Sequence, residues 1–233
     1  MLDFILSKLN LLIMVTAIFA IVAYFSFFVD QSVVDRKASQ ILSRFAEDTR
    51  TNVNSQNLCN VSTLTIPPYL CSQGCGSSSN RVYFKVRISK IPESGTDPTL
   101  PSYSPNTLVY SLLESKAGVT QGRVLASQPY QMKAQIRLFS FNPIIGSFSE
   151  VTDPNGNSVL DPQSAPSPTD SILLVKETFE GNETLFVVPC SSDSAALNDY
   201  CNDYFDILIN GKPGGFIGVK NEPGRNGVFN CSP

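Results

Sequence analysis

The sequence predicts an α+β protein: a long N-terminal helix, hydrophobic and then amphipathic, carrying a disulfide-stapled antiparallel β-sandwich head. Three observations carry that expectation. The first proline is Pro67 and the first glycine Gly74, yet the chain holds 16 Pro and 14 Gly in its 233 residues. Residues 11–29 form an apolar run in which Thr16 and Ser26 are the only clearly polar side chains. Beyond residue 80, period-two alternation replaces helical spacing, and all six cysteines lie after residue 58. Helix breakers punctuate turns and are excluded from helix interiors, so the chain divides into a breaker-free head end and a turn-rich body. The expected domains are a membrane-spanning and projecting stem helix over 1–52, a Cys-containing connector over 53–80 and an extracytoplasmic β-sandwich head over 81–233.

The apolar run comes first. Nineteen residues at about 1.5 Å each give about 28 Å, close to the roughly 30 Å hydrocarbon core of a bilayer. A cleaved export signal would have an apolar core of only about 7–15 residues and a small-x-small site behind it. This run is longer, and "AYFSFFVDQS" puts bulky aromatics at its boundary. Leu11, Leu12, Ile13, Val15, Ile18, Phe19, Ile21, Val22 and Phe25 are therefore the expected membrane and assembly residues.

Past Val29 the composition turns mixed without any breaker. Val34, Ala38, Ile41, Leu42 and Phe45 recur at three- and four-residue spacing, separated by charged residues. That is one apolar stripe on an otherwise wet helix, and the stripe needs a cover, either the chain's own head or a neighbour. Asn52, Asn54 and Asn57 then supply a stop. A helix from Leu2 to about Asn52 would be roughly 75 Å long, more than twice the bilayer core, so its second half projects.

The layout resembles that of type IV pilins, pseudopilins and their archaeal relatives, in which a long N-terminal helix, apolar then amphipathic, carries a disulfide-bearing β-rich head. The resemblance implies a structural subunit of a pilus-like surface filament, with stem helices bundled in the core, β-heads exposed and self-association through the N-terminal helix. The processing-site pattern of such proteins, a Gly or Ala after a basic leader and a Glu five residues further on, is not found in "MLDFILSKLNLL". The alternative is a single-pass anchored cell-surface domain that binds or adheres without polymerising, with a surface ligand or glycan as its partner. The two differ over the stem: the filament reading needs a helix continuous through residue 50, the anchor reading a break near 29–31.

Composition narrows the chemistry. The net charge is −3, from 17 Lys+Arg and 20 Asp+Glu, so nothing points to nucleic acid. Histidine is absent, which removes the commonest general base and metal ligand. There is no G-x-S-x-G and no phosphate-cradling G-x-x-x-x-G-K-[ST]; no enzymatic activity and no cofactor are expected. Only Lys8 precedes the apolar run, whereas Arg36, Lys37 and Arg44 follow it, which by base count would put the body inside the cell. The even set of cysteines and three N-x-S/T sequons, at Asn60, Asn182 and Asn230, argue for an exterior, glycan-bearing head.

In the body, strands are expected at 81–91, 107–113, 131–141, 171–179, 184–189 and 204–209, where alternation is clearest. Residues 92–106 and 153–170 read as long exposed loops, and the Asn-Gly pairs at 155–156, 210–211 and 226–227 as hairpin-type turns. Six cysteines, Cys59, Cys71, Cys75, Cys190, Cys201 and Cys231, allow 15 pairings. Cys190–Cys201 is the best local pair, and the other four would tie the connector and the Cys231 tail onto the sheet. Asp153, Asn155, Asn157 and Asp161 have spacings resembling a calcium loop, but an Asp-Pro-Asn-Gly turn explains them without metal, and no metal is expected.

Overall fold

A computed structural model of the chain describes residues 2–71, 81–91, 106–115, 122–142, 147–153, 156–163, 169–192, 201–211 and 216–231. Helix α1 is one unbroken element, Leu2–Val53. At 52 residues it is about 78 Å long. It ends where Asn54 and Ser55 close the last turn on the Arg50 and Asn52 carbonyls. The Lys176 ammonium then donates to the Ser55 carbonyl at 2.6 Å, a cation placed at the negative end of the helix dipole.

The strands after it are β1 (Cys59–Thr65), β2 (Leu70–Cys71), β3 (Arg81–Val82), β4 (Phe84–Ile91), β5 (Thr107–Glu114), β6 (Val124–Gln131), β7 (Gln135–Asn142), β8 (Ser147–Glu150), β9 (Asn157–Leu160), β10 (Ser171–Phe179) and β11 (Asn182–Cys190). They form a five-stranded sheet in the order β1-β10-β11-β7-β8, a four-stranded sheet in the order β6-β5-β4-β9, and the short pair β2-β3. The two larger sheets share one apolar core, in which Val86, Ile88 and Leu112 of one meet Leu138, Leu174 and Val187 of the other. The second half of α1 touches β5 and β6 of one sheet and β1 and β10 of the other, so the stem seals the side where edge strands β6 and β1 lie. On the opposite side β9 approaches β7 and β11.

The middle of the five-stranded sheet is the hairpin β10–β11. Glu180 and Gly181 between the strands have φ of 50° and 81°, the positive values that a two-residue turn matched to strand twist requires. Both strands are buried on both faces. Ile172 and Leu174 face the shared core, while Leu173 and Val175 face a second cluster on the outside. That second cluster is closed by helix α2 (Cys201–Asn210), by a 3₁₀ turn at Val219–Asn221 and by the tail through Cys231.

The fully buried charges among the described residues, Lys176 and Glu177, are both paired, Lys176 with Glu183 at 2.9 Å. Glu177, wholly buried, accepts from Arg225 at 2.6 Å and from the Asn230 backbone N–H at 3.0 Å, while the Arg225 guanidinium lies 4.7 Å over the Phe179 ring. Arg137 bonds Glu150 at 2.5 Å and Glu222 at 2.7 Å. Burial opposes its charge, but the two carboxylates outweigh burial and its pKa is raised.

Several expectations are corrected. Residues 204–209, read as a strand, belong to α2; Tyr204, Phe205, Leu208 and Ile209 are its buried face, and one- and four-residue spacing is helical. Asn210-Gly211 is the end of that helix and not a hairpin. Gly211 has a φ of 80° and its N–H reaches the Ile207 carbonyl at 2.8 Å, the left-handed cap of a helix C-terminus. A side chain there would also meet the Gly218 nitrogen at 2.5 Å. The head is not wholly antiparallel, because β11 and β7 run parallel. The supposed connector contributes β1, paired along its whole length with β10, and the supposed loop at 153–170 contains β9, paired with β4. Asn226-Gly227 does form a tight turn, with φ of 49° and 81° and a Val228 N–H to Arg225 carbonyl bond of 2.8 Å. Asn155 and residues 92–105 lie outside the described residues.

Candidate assembly interface

Residues 7–26 of α1 are bare on every side. Leu11, Leu12, Ile13, Val15, Ile18, Phe19, Ile21, Val22 and Phe25 are all exposed, Phe19 to 71%. Soluble proteins rarely leave an apolar surface of this extent without a membrane or a partner against it. The helix is long and apolar enough to cross a membrane. The Thr16 hydroxyl is satisfied within the helix, since Thr16 Oγ1 donates back to the Leu12 and Ile13 carbonyls at 3.0 and 2.9 Å; no water is needed there. Tyr24 stacks on Phe28 at 6.5 Å between ring centres, placing aromatic bulk where the apolar run ends.

The second half is covered by the chain itself. Val34, Ala38, Leu42 and Phe45 are buried in the shared core, and Ile41 packs half-buried beside them. Sequence reasoning missed how far this seam runs. Thr49, not singled out in the sequence, and Asn52, read there as part of the helix stop, are fully buried, and Val53 follows them. Their spacing from Phe45 continues the three- and four-residue pattern, which was the available signal. Thr49 Oγ1 shares a hydrogen bond of 2.8 Å with the Tyr110 hydroxyl, and the Phe45 ring meets the Tyr110 ring edge-on at 5.6 Å. Asn52 Nδ2 donates to Ser62 Oγ at 2.9 Å, while Asn52 Oδ1 is buried with no hydrogen-bond partner among the described residues. Two polar clamps flank the seam: Arg123 to Asp35 at 3.0 Å, and Lys37 Nζ to the Cys71 carbonyl at 2.6 Å.

Tyr110 makes this seam pH-sensitive. Burial raises its pKa far above the ordinary value, more than the Thr49 hydrogen bond lowers it. The unfolded chain releases the phenol proton near pH 10 and the folded chain does not. The stability this group contributes is therefore fully present below about pH 10 and falls above it by about 1.4 kcal/mol per pH unit. Urea melts between pH 8 and 12 are expected to show that decline, and Tyr110→Phe is expected to flatten most of it. Burial also raises Tyr130, though Arg50 acts against the shift, which leaves a smaller residual slope.

Two disulfides close the head. Cys190 is bonded to Cys201, which fixes α2 to the end of β11, and Cys59 to Cys231 across 172 residues, which fixes the tail to edge strand β1. Cys71 is also disulfide-bonded, and Cys75 lies outside the described residues. Among the sequon residues, Asn182 is exposed where the β10–β11 hairpin turns, Asn60 is half-buried on β1, and Asn230 is exposed with its amide donating to the Thr178 carbonyl at 2.6 Å. The calcium-like spacing does not converge. Asn157 begins β9 and Asp161 lies just past its end, about 13 Å apart along an extended chain, and Asp161 is engaged by Lys85 at 2.7 Å. No cluster of three or more His, Cys, Asp or Glu positioned for a metal occurs among the described residues. No protein-family model, curated protein or solved structure matches the chain.

Proposed function

We propose that this chain is the structural, non-enzymatic subunit of a pilus-like surface filament. The stem helices bundle through the apolar half of α1, and the β-sandwich heads stand exposed outside the cell. One observation carries the reading: the helix runs unbroken through 29–31, bare before that point and covered by its own head after it. A domain that needed only an anchor would not require a rigid, breaker-free continuation of about 35 Å beyond the bilayer. With its projecting stripe already occupied by the head, the surface left for self-association is the bare half. In the membrane that half is solvated by lipid; in a filament it would be solvated by copies of itself, through close packing of apolar side chains.

The extracytoplasmic position of the head is supported by its disulfides, which persist in oxidising compartments. Glycosylation fits Asn182 best, because that side chain is exposed beside a tight turn. The reading is tested by electron microscopy of material shed from the cell surface, with N-terminal sequencing of the chain recovered.

A further inference from the structure

The outer face of the stem, just past the apolar run, carries an open groove of about 690 Å³ between α1 and β2. Its floor is apolar, Ile41 and Leu70, and its charges are Arg36, Lys37 and Arg44; no carboxylate lines it among the described residues. Asp35, beside Arg36 in the chain, and Glu114 both lie within ion-pair reach of Arg123, at 3.0 and 3.6 Å. Arg36 and Arg44 are exposed and make no ion pair among the described residues.

A further cation, Arg81, stands on the strand beside the groove rather than in its lining. The Cys71 carbonyl that holds Lys37 belongs to a residue paired in register with Arg81 of β3. The Arg81 guanidinium lies 4.6 Å over the Tyr69 ring, and Tyr83 meets Tyr69 edge-on at 6.2 Å. Arg81 Nε has no hydrogen-bond partner among the described residues. The Arg36 end of the groove faces the membrane. Arg36 is seven residues beyond Val29, about 10 Å along the helix, and helical side chains lean toward the N-terminus, here toward the bilayer. The headgroup layer is about 5–7 Å deep on each side of the hydrocarbon core, within reach of a long side chain from that height. Arg44, about 22 Å beyond Val29, is out of reach.

We propose that the membrane-proximal end of the head is a seat for an anionic phospholipid. The lipid phosphate lies against Arg36 and Lys37, with Arg81 adding positive charge from the neighbouring strand, and Tyr69 and Tyr83 sit at headgroup level, as amphipathic rings do. The seat requires only that α1 crosses a bilayer and stands whether or not the chain polymerises. It fixes the angle at which the head leaves the membrane, so head orientation becomes sensitive to lipid charge.

The test uses the full chain in nanodiscs of phosphatidylcholine alone or with phosphatidylglycerol. No free cysteine occurs among the described residues, so Gln40→Cys places a fluorophore in the groove, and a headgroup-labelled lipid quencher reports contact. Stronger quenching is expected with phosphatidylglycerol and weaker quenching on adding salt. Arg36→Gln is expected to reduce the preference for the anionic lipid about five-fold, the worth of one basic residue at the surface. Arg36→Lys is expected to retain the preference, and Arg44→Gln to leave it unchanged. Equal quenching in both lipids, or an unaltered preference in Arg36→Gln, would overturn the proposal. So would a preference for the anionic lipid that appears only with two or more chains per disc, which would assign the groove to a second copy.

Discussion

Replacing Cys231 with serine, which opens its bridge to Cys59, is expected to destabilise the head by about 5 kcal/mol, the chain-entropy value for closing so long a loop. The bridge spans 172 residues, nearly the whole head, and the unfolded chain gains the freedom of that loop when it is cut. The native state also loosens. The tail it fixes brings Arg225 and the Asn230 N–H to the buried Glu177 carboxylate, and a carboxylate buried without its partners is strongly destabilising. Opening the local bridge with Cys201→Ser removes a loop of only 11 residues, for which the same model gives about 3 kcal/mol. Urea unfolding of the oxidised variants should therefore rank wild type above Cys201→Ser above Cys231→Ser. At a typical urea slope of about 2 kcal/mol per molar the midpoints should fall by roughly 1.5 and 2.5 M. The reverse order would show that the tail is held by contacts other than the bridge.

The second large effect separates the two halves of α1. Leu42→Ala is expected to destabilise the head by about 3–5 kcal/mol, because Leu42 is 1% exposed in the shared core and its loss leaves a cavity walled by two sheets. The same kind of truncation in the bare half, Ile21→Ala, is expected to change head stability in detergent by less than about 0.5 kcal/mol, since Ile21 is 55% exposed and touches no part of the head. The contrast separates the half that packs against the head from the half that the proposed assembly uses. Equal losses from both truncations would mean that the stem is a single structural unit with no free surface.

The stem was legible in the sequence because helical period is a local signal. Residues at three- and four-residue spacing announce a face whatever covers it, and no glycine or proline interrupts 2–53. Strand β10 was equally plain, nine residues with only one charged pair near the end. The Cys190–Cys201 pair could be guessed because only a short polar loop separates the two residues. The strands that escaped notice are edge or short elements. β1 buries chiefly Leu64 of its seven residues, and β6 buries Leu125 while carrying Pro129, which an edge strand tolerates. The burial that matters for β6 comes from α1, a contact no local window reports. Helix α2 was misread because six residues of mixed apolar character fit both periods, and the exposure of Asp206 between buried Phe205 and half-buried Ile207 decides only in three dimensions. The parallel pairing of β11 with β7 is a choice of topology, and Thr49 and Asn52 show that a core seam can be built from polar residues once partners are supplied from other strands.

The central claim is that the bare half of α1 is the surface on which copies of this chain assemble. Electron microscopy of material shed from the surface of cells that make the chain, with N-terminal sequencing of what is recovered, tests it most directly. The expected result is ordered filaments with this chain as the repeating subunit, residues 9–29 at the axis and the heads outside. Recovery of the chain only as a detergent-soluble monomer, with no filament containing it, would contradict the account.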